Sequence, residues 1–579
     1  MIPELPQVLA CEKNKTENVF RCRNPHFQLR KSLYLRKELE FCEPVVQTRI
    51  KSVQRDRYRS DGFKLISHGD DFFSAARGVI PLILKILLYI YWQLSMSGLS
   101  KRDFDAVIVG SGPNGLAAAI TLQQAGLAVL VLEGKETVGG GLRSAELTLP
   151  GFTHDICSAI HPLAAGSPFF KTLPLKEHGL EYIYPPLAAV HPFDGGTVAV
   201  LQNSIKDTAR ALGRDEQAYL NLIKPLVKDW PKIVTDVLGP LHFPKDPLAL
   251  ARFGLNALTS ARYLSKKFQT KEGKGLWGGM AAHSIQPLSN LATSAIAMVL
   301  MANGHLGGWP IPKGGSQKIA HALASYFVSI GGKIETNLYV SSIDQLPSAH
   351  AVLFDVTPQQ LLKIAGHKFS ALYQWQLRRY RYGMGVFKID WALDGQIPFA
   401  AEACKLAGTL HLGNTFEEIA EGEQLIWNGK HAENPFVLLA QQSLFDPSRA
   451  PSGKHTAWAY CHVPNGSTVD MTERIEKQVE RFAPGFRDRI IGRHTFNTLQ
   501  MEEYNPNYIA GDINGGVIDI GQIFTRPALR LSPYRTSAKG IYICSSSTPP
   551  GGGVHGMCGV HAAHKALIDI FNIRIKNIL

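Results

Sequence analysis

The stretch that most constrains this 579-residue chain lies between Asp105 and Glu133. Ala106-Val107-Ile108-Val109 is a continuous apolar run, as in a parallel strand buried on both faces. Gly110-Ser111-Gly112-Pro113-Asn114-Gly115 follows at once, then an alanine-rich segment from Leu116 to Gln124 that Gly126 stops. Ala128-Val129-Leu130-Val131-Leu132 is a second apolar run, and Glu133 ends it. Strand, glycine turn, helix and strand make a complete βαβ unit. They predict an α/β chain with a Rossmann-like domain.

Each residue type has a physical reason to be there. Gly110 permits the tight turn, Gly112 lets backbone approach a pyrophosphate, and Gly115 lets the helix pack close on its strand. The helix N-terminus turns partial positive charge toward phosphate. Glu133 stands 18 residues after Gly115, placed to accept hydrogen bonds from a ribose hydroxyl pair. Gly110, Gly112, Pro113, Asn114, Gly115 and Glu133 are therefore candidate dinucleotide contacts.

The length suggests three or four domains and is ample for cores that need no disulfides. Eight cysteines are scattered without CxxC spacing. That argues against a zinc ribbon or a disulfide scaffold and for free thiols in a reducing, cytoplasmic setting. The net charge of +13 is uneven: residues 1–100 hold sixteen Lys and Arg against ten Asp and Glu. No nucleic-acid-binding signature accompanies it, so no nucleic-acid partner is expected. Residues 1–100 read as an extension without clean periodicity, and Met96 is a candidate alternative start. Their apolar run, 79–92, contains Pro81 and Lys85 and is short of the roughly 20 residues a spanning helix needs. It reads either as an interfacial helix in peripheral membrane contact or as a helix packed on the main domain.

A second glycine cluster, Gly139-Gly140-Gly141-Leu142-Arg143-Ser144, follows Glu133. Near the C-terminus an apolar run, Gly540 to Cys544, leads into Pro549-Pro550-Gly551-Gly552-Gly553-Val554-His555-Gly556-Met557-Cys558-Gly559-Val560. Between them lie Gly314-Gly315-Ser316, an amphipathic helix over 317–330, a turn and strand over 331–343, and a strand over 351–358. Together these resemble the FAD flavoproteins of the amine oxidase and phytoene desaturase superfamily, in particular the phytoene dehydrogenase-like oxidoreductases. The resemblance spans about 103–579. It implies non-covalent FAD, with Gly139, Gly140, Ser144, Val340, Gly552, Gly553, Gly559 and Val560 added to the cofactor-binding set. Val340 would contact the adenine by its backbone, and the 551–559 loop would pass the isoalloxazine. Gly141 departs from the pattern, which has Arg there; Arg143 either replaces that Arg or lies on the surface.

The resemblance implies an FAD-binding domain made of discontinuous segments, 101–175, 305–365 and 501–579. An α+β substrate domain would come from 176–304 and 366–500. No side chain is identifiable as catalytic. His555, His161 and His283 are candidates for the pocket, each equally readable as a structural histidine. No metal is implied, because the histidines lack metal-site spacing. One reading is an FAD-dependent oxidoreductase that dehydrogenates or isomerises a hydrophobic, isoprenoid-like substrate, with electrons passing to a quinone or oxygen. The others are an amine or amino-acid oxidase and a non-enzymatic binding protein of GDP-dissociation-inhibitor type. With one GxGxxG only, no separate NAD(P)H site is expected.

Overall fold

The structure is a computed structural model and describes residues 103–574; the 1–100 extension and its apolar run lie outside these residues. The chain begins with β1 (Phe104–Val109), α1 (Pro113–Gln124) and β2 (Val129–Leu132). It leaves to form β3 (Leu187–Pro192), β4 (Val198–Leu201) and the helices α2 (Glu216–Val237), α3 (Pro247–Ala257), α4 (Lys271–Ala282) and α5 (Thr293–Gly307). It returns as α6 (Gln317–Ser329), β5 (Lys333–Glu335) and β6 (Ala349–Phe354). A second excursion supplies β7 (Gly385–Leu393), β8 (Ala407–Leu412), α7 (Phe416–Trp427), β9 (Val437–Ala440), β10 (His455–Val463), α8 (Thr472–Phe482) and β11 (Ile490–Phe496). The last strand and helix are β12 (Ile541–Ile543) and α9 (Met557–Phe571).

Two main sheets result. The first is parallel throughout, in the order β12-β6-β1-β2-β5. Its middle strands are apolar on both faces because both faces are covered: α1, α6 and α9 pack against one side of it, and residues 361–377 against the other. The second sheet runs β11-β7-β10-β9-β8-β3-β4 and is antiparallel except where β8 meets β3. In β10, Ala457, Ala459 and Cys461 face a core shared with Ile475, Val479 and Phe482 of α8. Trp458, Tyr460 and His462 therefore project from the opposite face.

The turn and strand expected over 331–343 stop early. β5 ends at Glu335, and Asn337 takes a positive φ of 58°. The backbone then turns back, and Leu338 N–H donates to the Glu133 carbonyl at 2.9 Å. Asn tolerates this left-handed geometry through its short polar side chain. α2 keeps its helix through Pro225 and Pro231, two residues that each remove one intrahelical donor.

One buried carboxylate joins the second excursion to the nucleotide fold. Asp155 receives Arg449 Nη2 at 2.7 Å, Ser316 N–H at 2.8 Å and the Ser144 hydroxyl at 2.7 Å. Arg449 also donates to the Thr153 carbonyl, and Asp446 receives Gly314 N–H at 2.6 Å. Burial alone raises a carboxylate pKa; here the Arg449 charge and the three donors outweigh it, and Asp155 is held below its ordinary value.

Replacing Asp155 by Ala strands the Arg449 guanidinium in the interior. Breaking a buried pair costs about 3–5 kcal/mol, and urea denaturation is expected to show a loss of that size for Asp155→Ala. The depressed pKa fixes the sign of the acid response. The contribution is complete above the unfolded carboxylate value and is lost as pH falls through the folded one. The gap between wild type and variant should therefore close in acid.

Candidate functional site

The carboxyl ends of β1, β2 and β6 open onto a cavity of about 580 Å³. This is where the chain switches direction across the parallel sheet, the position at which open α/β sheets bind ligands. Glu133, Lys135, Leu338 and Val340 line one end, and Gly110 to Asn114, Gly140, Gly141 and Asp355 the middle. Ser545, Ser546, Gly552, Gly553 and Val554 come in from the C-terminal loop. His161, His283, Trp309, Thr409, Leu438, Trp458 and Tyr460 form the remaining wall, so the face of the second sheet closes the space above the first.

The glycines of the turn are required by contact. A Cβ on Gly115 would sit 2.1 Å from the Gly110 carbonyl oxygen, and one on Gly112 2.6 Å from Asp355 Oδ2. Gly140 packs so closely that its Cβ would lie 3.0 Å from the Gly112 Cα. Gly112 is the N-cap of α1 and offers no side chain. Asp355, at the end of β6, does so from across the sheet, accepting Gly115 N–H at 2.9 Å. Burial pushes the Asp355 carboxyl up to about 7, against the Gly115 donor and with help from the negative charge of Glu133.

Glu133 is more engaged than its position in sequence suggests. It accepts the Ser111 N–H and hydroxyl, Lys135 N–H at 2.9 Å and Arg143 Nη2 at 2.8 Å. Those four donors match the lone-pair sites a carboxylate offers. Arg143 is buried and also donates to the Thr137 carbonyl, so the surface reading of this residue is corrected. The space an Arg at position 141 would need is taken by Tyr508, whose hydroxyl lies 2.7 Å from where a Gly141 Cβ would stand.

The expected site residues divide. Gly110, Gly112, Pro113, Asn114, Glu133, Gly140, Val340, Gly552 and Gly553 meet at the cavity. Gly115, Gly139, Ser144, Gly559 and Val560 lie outside its lining. Ser144 holds Asp155, Gly139 N–H donates to the Ser111 carbonyl, and Val560 N–H is used within α9 on Gly556. Gly559 is a packing glycine: its Cβ would lie 1.8 Å from the Asn114 carbonyl oxygen of α1.

The histidines are likewise separated. His555 is a buried loop residue whose Nδ1 accepts Met557 N–H at 3.0 Å, capping α9. His161 pairs with the Ser316 hydroxyl at 2.8 Å and His283 with His411 at 3.0 Å, both at the cavity wall. Burial pushes His161 down to about 4 and His283 down to about 3, so both are neutral imidazoles near pH 7. The Cys157 thiol at the wall is raised by burial and stays protonated. Sequence reading missed Asp355, Tyr504, Tyr508, Trp309 and the aromatic pair of β10. The alternation Thr456-Ala457-Trp458-Ala459-Tyr460 carried a signal for the last of these.

The chain is an oxidoreductase built on a Rossmann-like parallel sheet with a second sheet beside it. Residues 108–172 match the NAD(P)-binding Rossmann-like domain. The chain is 25% identical to pyridine nucleotide-disulfide oxidoreductase domain-containing protein 2 of Rattus norvegicus, over 83% of this chain and 96% of that protein. It is 22% identical to the lycopene-forming phytoene desaturase of a Paracoccus species, over 80% of this chain and 97% of that one. Among solved structures, an oxidoreductase from Methanosarcina mazei shares the fold with a TM-score of 0.56 at 17% identity, covering 79% of this chain and 99% of that one.

Asp355→Asn keeps an acceptor for Gly115 N–H and removes the ionisation. A carboxyl with a raised folded pKa loses stability as pH climbs from its unfolded value to the folded one. Thermal melting should therefore show Asp355→Asn gaining on wild type between about pH 4 and pH 7 and no further above that; a constant difference would remove the assignment.

Proposed function

We propose that the chain is an FAD-dependent oxidoreductase that dehydrogenates or isomerises a hydrophobic, isoprenoid-like small molecule and passes electrons to a quinone or oxygen. The observation that carries this reading is one continuous cavity that runs from Glu133 past the glycine turn to an aromatic wall. The cradle fits FAD because Gly110, Gly112 and Gly140 line it with bare backbone, and because Asn114 Oδ1 is buried there without a partner, open to a hydroxyl donor. Bound flavin supplies a two-electron acceptor for a substrate C–H bond.

The chain's own residues then bind the cofactor, hold the substrate and exclude water. Gly110, Gly112 and Asn114 present backbone and amide to the pyrophosphate at the start of α1. Glu133 would accept from the ribose, in the place the Ser111 hydroxyl holds here. Gly552 and Gly553, at the cavity lining, would let the loop approach the ring closely. Segments 176–304 and 366–500 act as the substrate domain, in which Trp309, Leu438, Trp458 and Tyr460 hold an apolar molecule and exclude water. The neutral His161 and His283 add polarity without charge, which suits such a substrate. The phytoene desaturase relative is named for a substrate of this kind.

The purified protein should be yellow, and acid or heat should release the flavin. Anaerobic mixing should bleach the flavin band with a polyene-containing lipid extract and not with NADPH. Rapid bleaching by NADPH would overturn the electron route, and bleaching by a primary amine would favour an amine oxidase.

Glu133→Gln preserves shape and removes the charge-assisted acceptor. Such bonds are worth roughly 1.5–3 kcal/mol, so a fluorescence titration should show FAD binding weakened about tenfold to a hundredfold. Affinity within a factor of two of wild type would separate Glu133 from the cofactor.

A further inference from the structure

Among the described residues, exposed large apolar side chains gather between 241 and 263. Leu241, Phe243, Leu248, Leu255, Leu258 and Tyr263 all face out, Phe243 at 87% and Leu248 and Leu255 at 77% exposure. α3 is apolar on both sides, with Leu250 and Phe253 packed against the core. Leu248 and Leu255, seven residues apart on one face, point to solvent, while the small Ala249 and Ala257 point inward. The helix is firmly built. Asp246 caps it by accepting Ala249 N–H at 3.0 Å, Pro247 opens it, and Phe253 meets Trp230 of α2 at 6.5 Å between ring centroids. The exposed leucines are thus presented on a fixed element.

The charge along this segment is predominantly positive. Between 239 and 267 stand Lys245, Arg252, Arg262, Lys266 and Lys267 against Asp246 alone, a net +4. Arg252 is paired with Asp229 of α2 at 2.9 Å and Asp246 with Lys232 at 3.4 Å, which leaves Lys245, Arg262, Lys266 and Lys267. Two copies of such a face would repel each other, whereas an apolar centre ringed by Lys and Arg matches an anionic lipid surface, where leucines enter the acyl boundary and the cations meet headgroups. The neighbouring layer fits the same use: α5 packs against α3 and carries Leu300 at the cavity wall.

We propose that the 241–263 face docks on an anionic lipid bilayer, one helix layer from the cavity. The corollary that the apolar substrate is taken from that bilayer rests on the proposed function; the docking itself does not. The test is flotation of the full chain with phosphatidylcholine vesicles, with and without phosphatidylserine. Binding should require phosphatidylserine and weaken in high salt. L248E/L255E should reduce the bound fraction about tenfold or more, since two leucines lose their burial. K266E/K267E should reduce it while sparing the apolar centre. Melting temperature and flavin content, followed in parallel, report folding and the cofactor site. Loss of vesicle binding in both variants with these unchanged supports docking, even for a preparation that lacks flavin, which would count against the proposed function alone. Binding by the variants equal to that of the wild type, no binding by the wild type, or concentration-dependent self-association in place of vesicle binding would overturn it.

Discussion

The Asp155 carboxylate is the point on which the two halves of the molecule depend. Three stretches far apart in sequence, around Ser144, Ser316 and Arg449, reach it with donors. A carboxylate taken out of water is costly unless its lone pairs are filled, and this one is filled by a charge and three neutral donors, the third being Gln442 Nε2. The loop from Gly314 to Ser316 is caught between Asp155 and Asp446, so the entry to α6 is fixed from both sides. That fixes the cavity as well, because its floor belongs to the parallel sheet and its wall to the second sheet.

The parallel sheet was legible because burial on both faces leaves unbroken apolar runs, and because the glycine turn has few structural alternatives. The roles of individual motif residues were less legible. Ser144 and Gly559 sit in sequence patterns associated with a cofactor, yet one completes the Asp155 cluster and the other lets α9 approach α1. A motif records which residues recur together, and packing and ligand contact produce the same record. Arg143 shows the converse problem: its partner Glu133 lies ten positions back, and nothing in the intervening residues reveals that the two are buried together.

Long-range pairing hid the remaining features. Asp355 gains its importance from Gly115, 240 residues away, and Tyr508 from the missing side chain at Gly141. The strand expected over 331–343 was cut short by a backbone turn that satisfies the Glu133 carbonyl, a tertiary demand that outweighs local strand preference. The buried imidazoles at the cavity wall follow the same logic. Their chemistry is set by desolvation, which leaves them neutral, and desolvation belongs to the folded state rather than to the histidine.

The position of β12 has a consequence for how the protein is made. This strand pairs with β6, while β1 of the same sheet precedes it by about 440 residues. At about 5–20 residues per second a ribosome needs roughly 20–90 s to deliver one after the other. During that interval the nascent sheet has a bare flank along β6, and the glycine loop that follows β12 does not yet exist. The middle of the chain, with its own larger sheet, can condense while the cradle around it is still unfinished. Assembly of this molecule ends where the nucleotide fold closes, so a chain broken off before residue 541 would keep much of its bulk and none of its finished cleft.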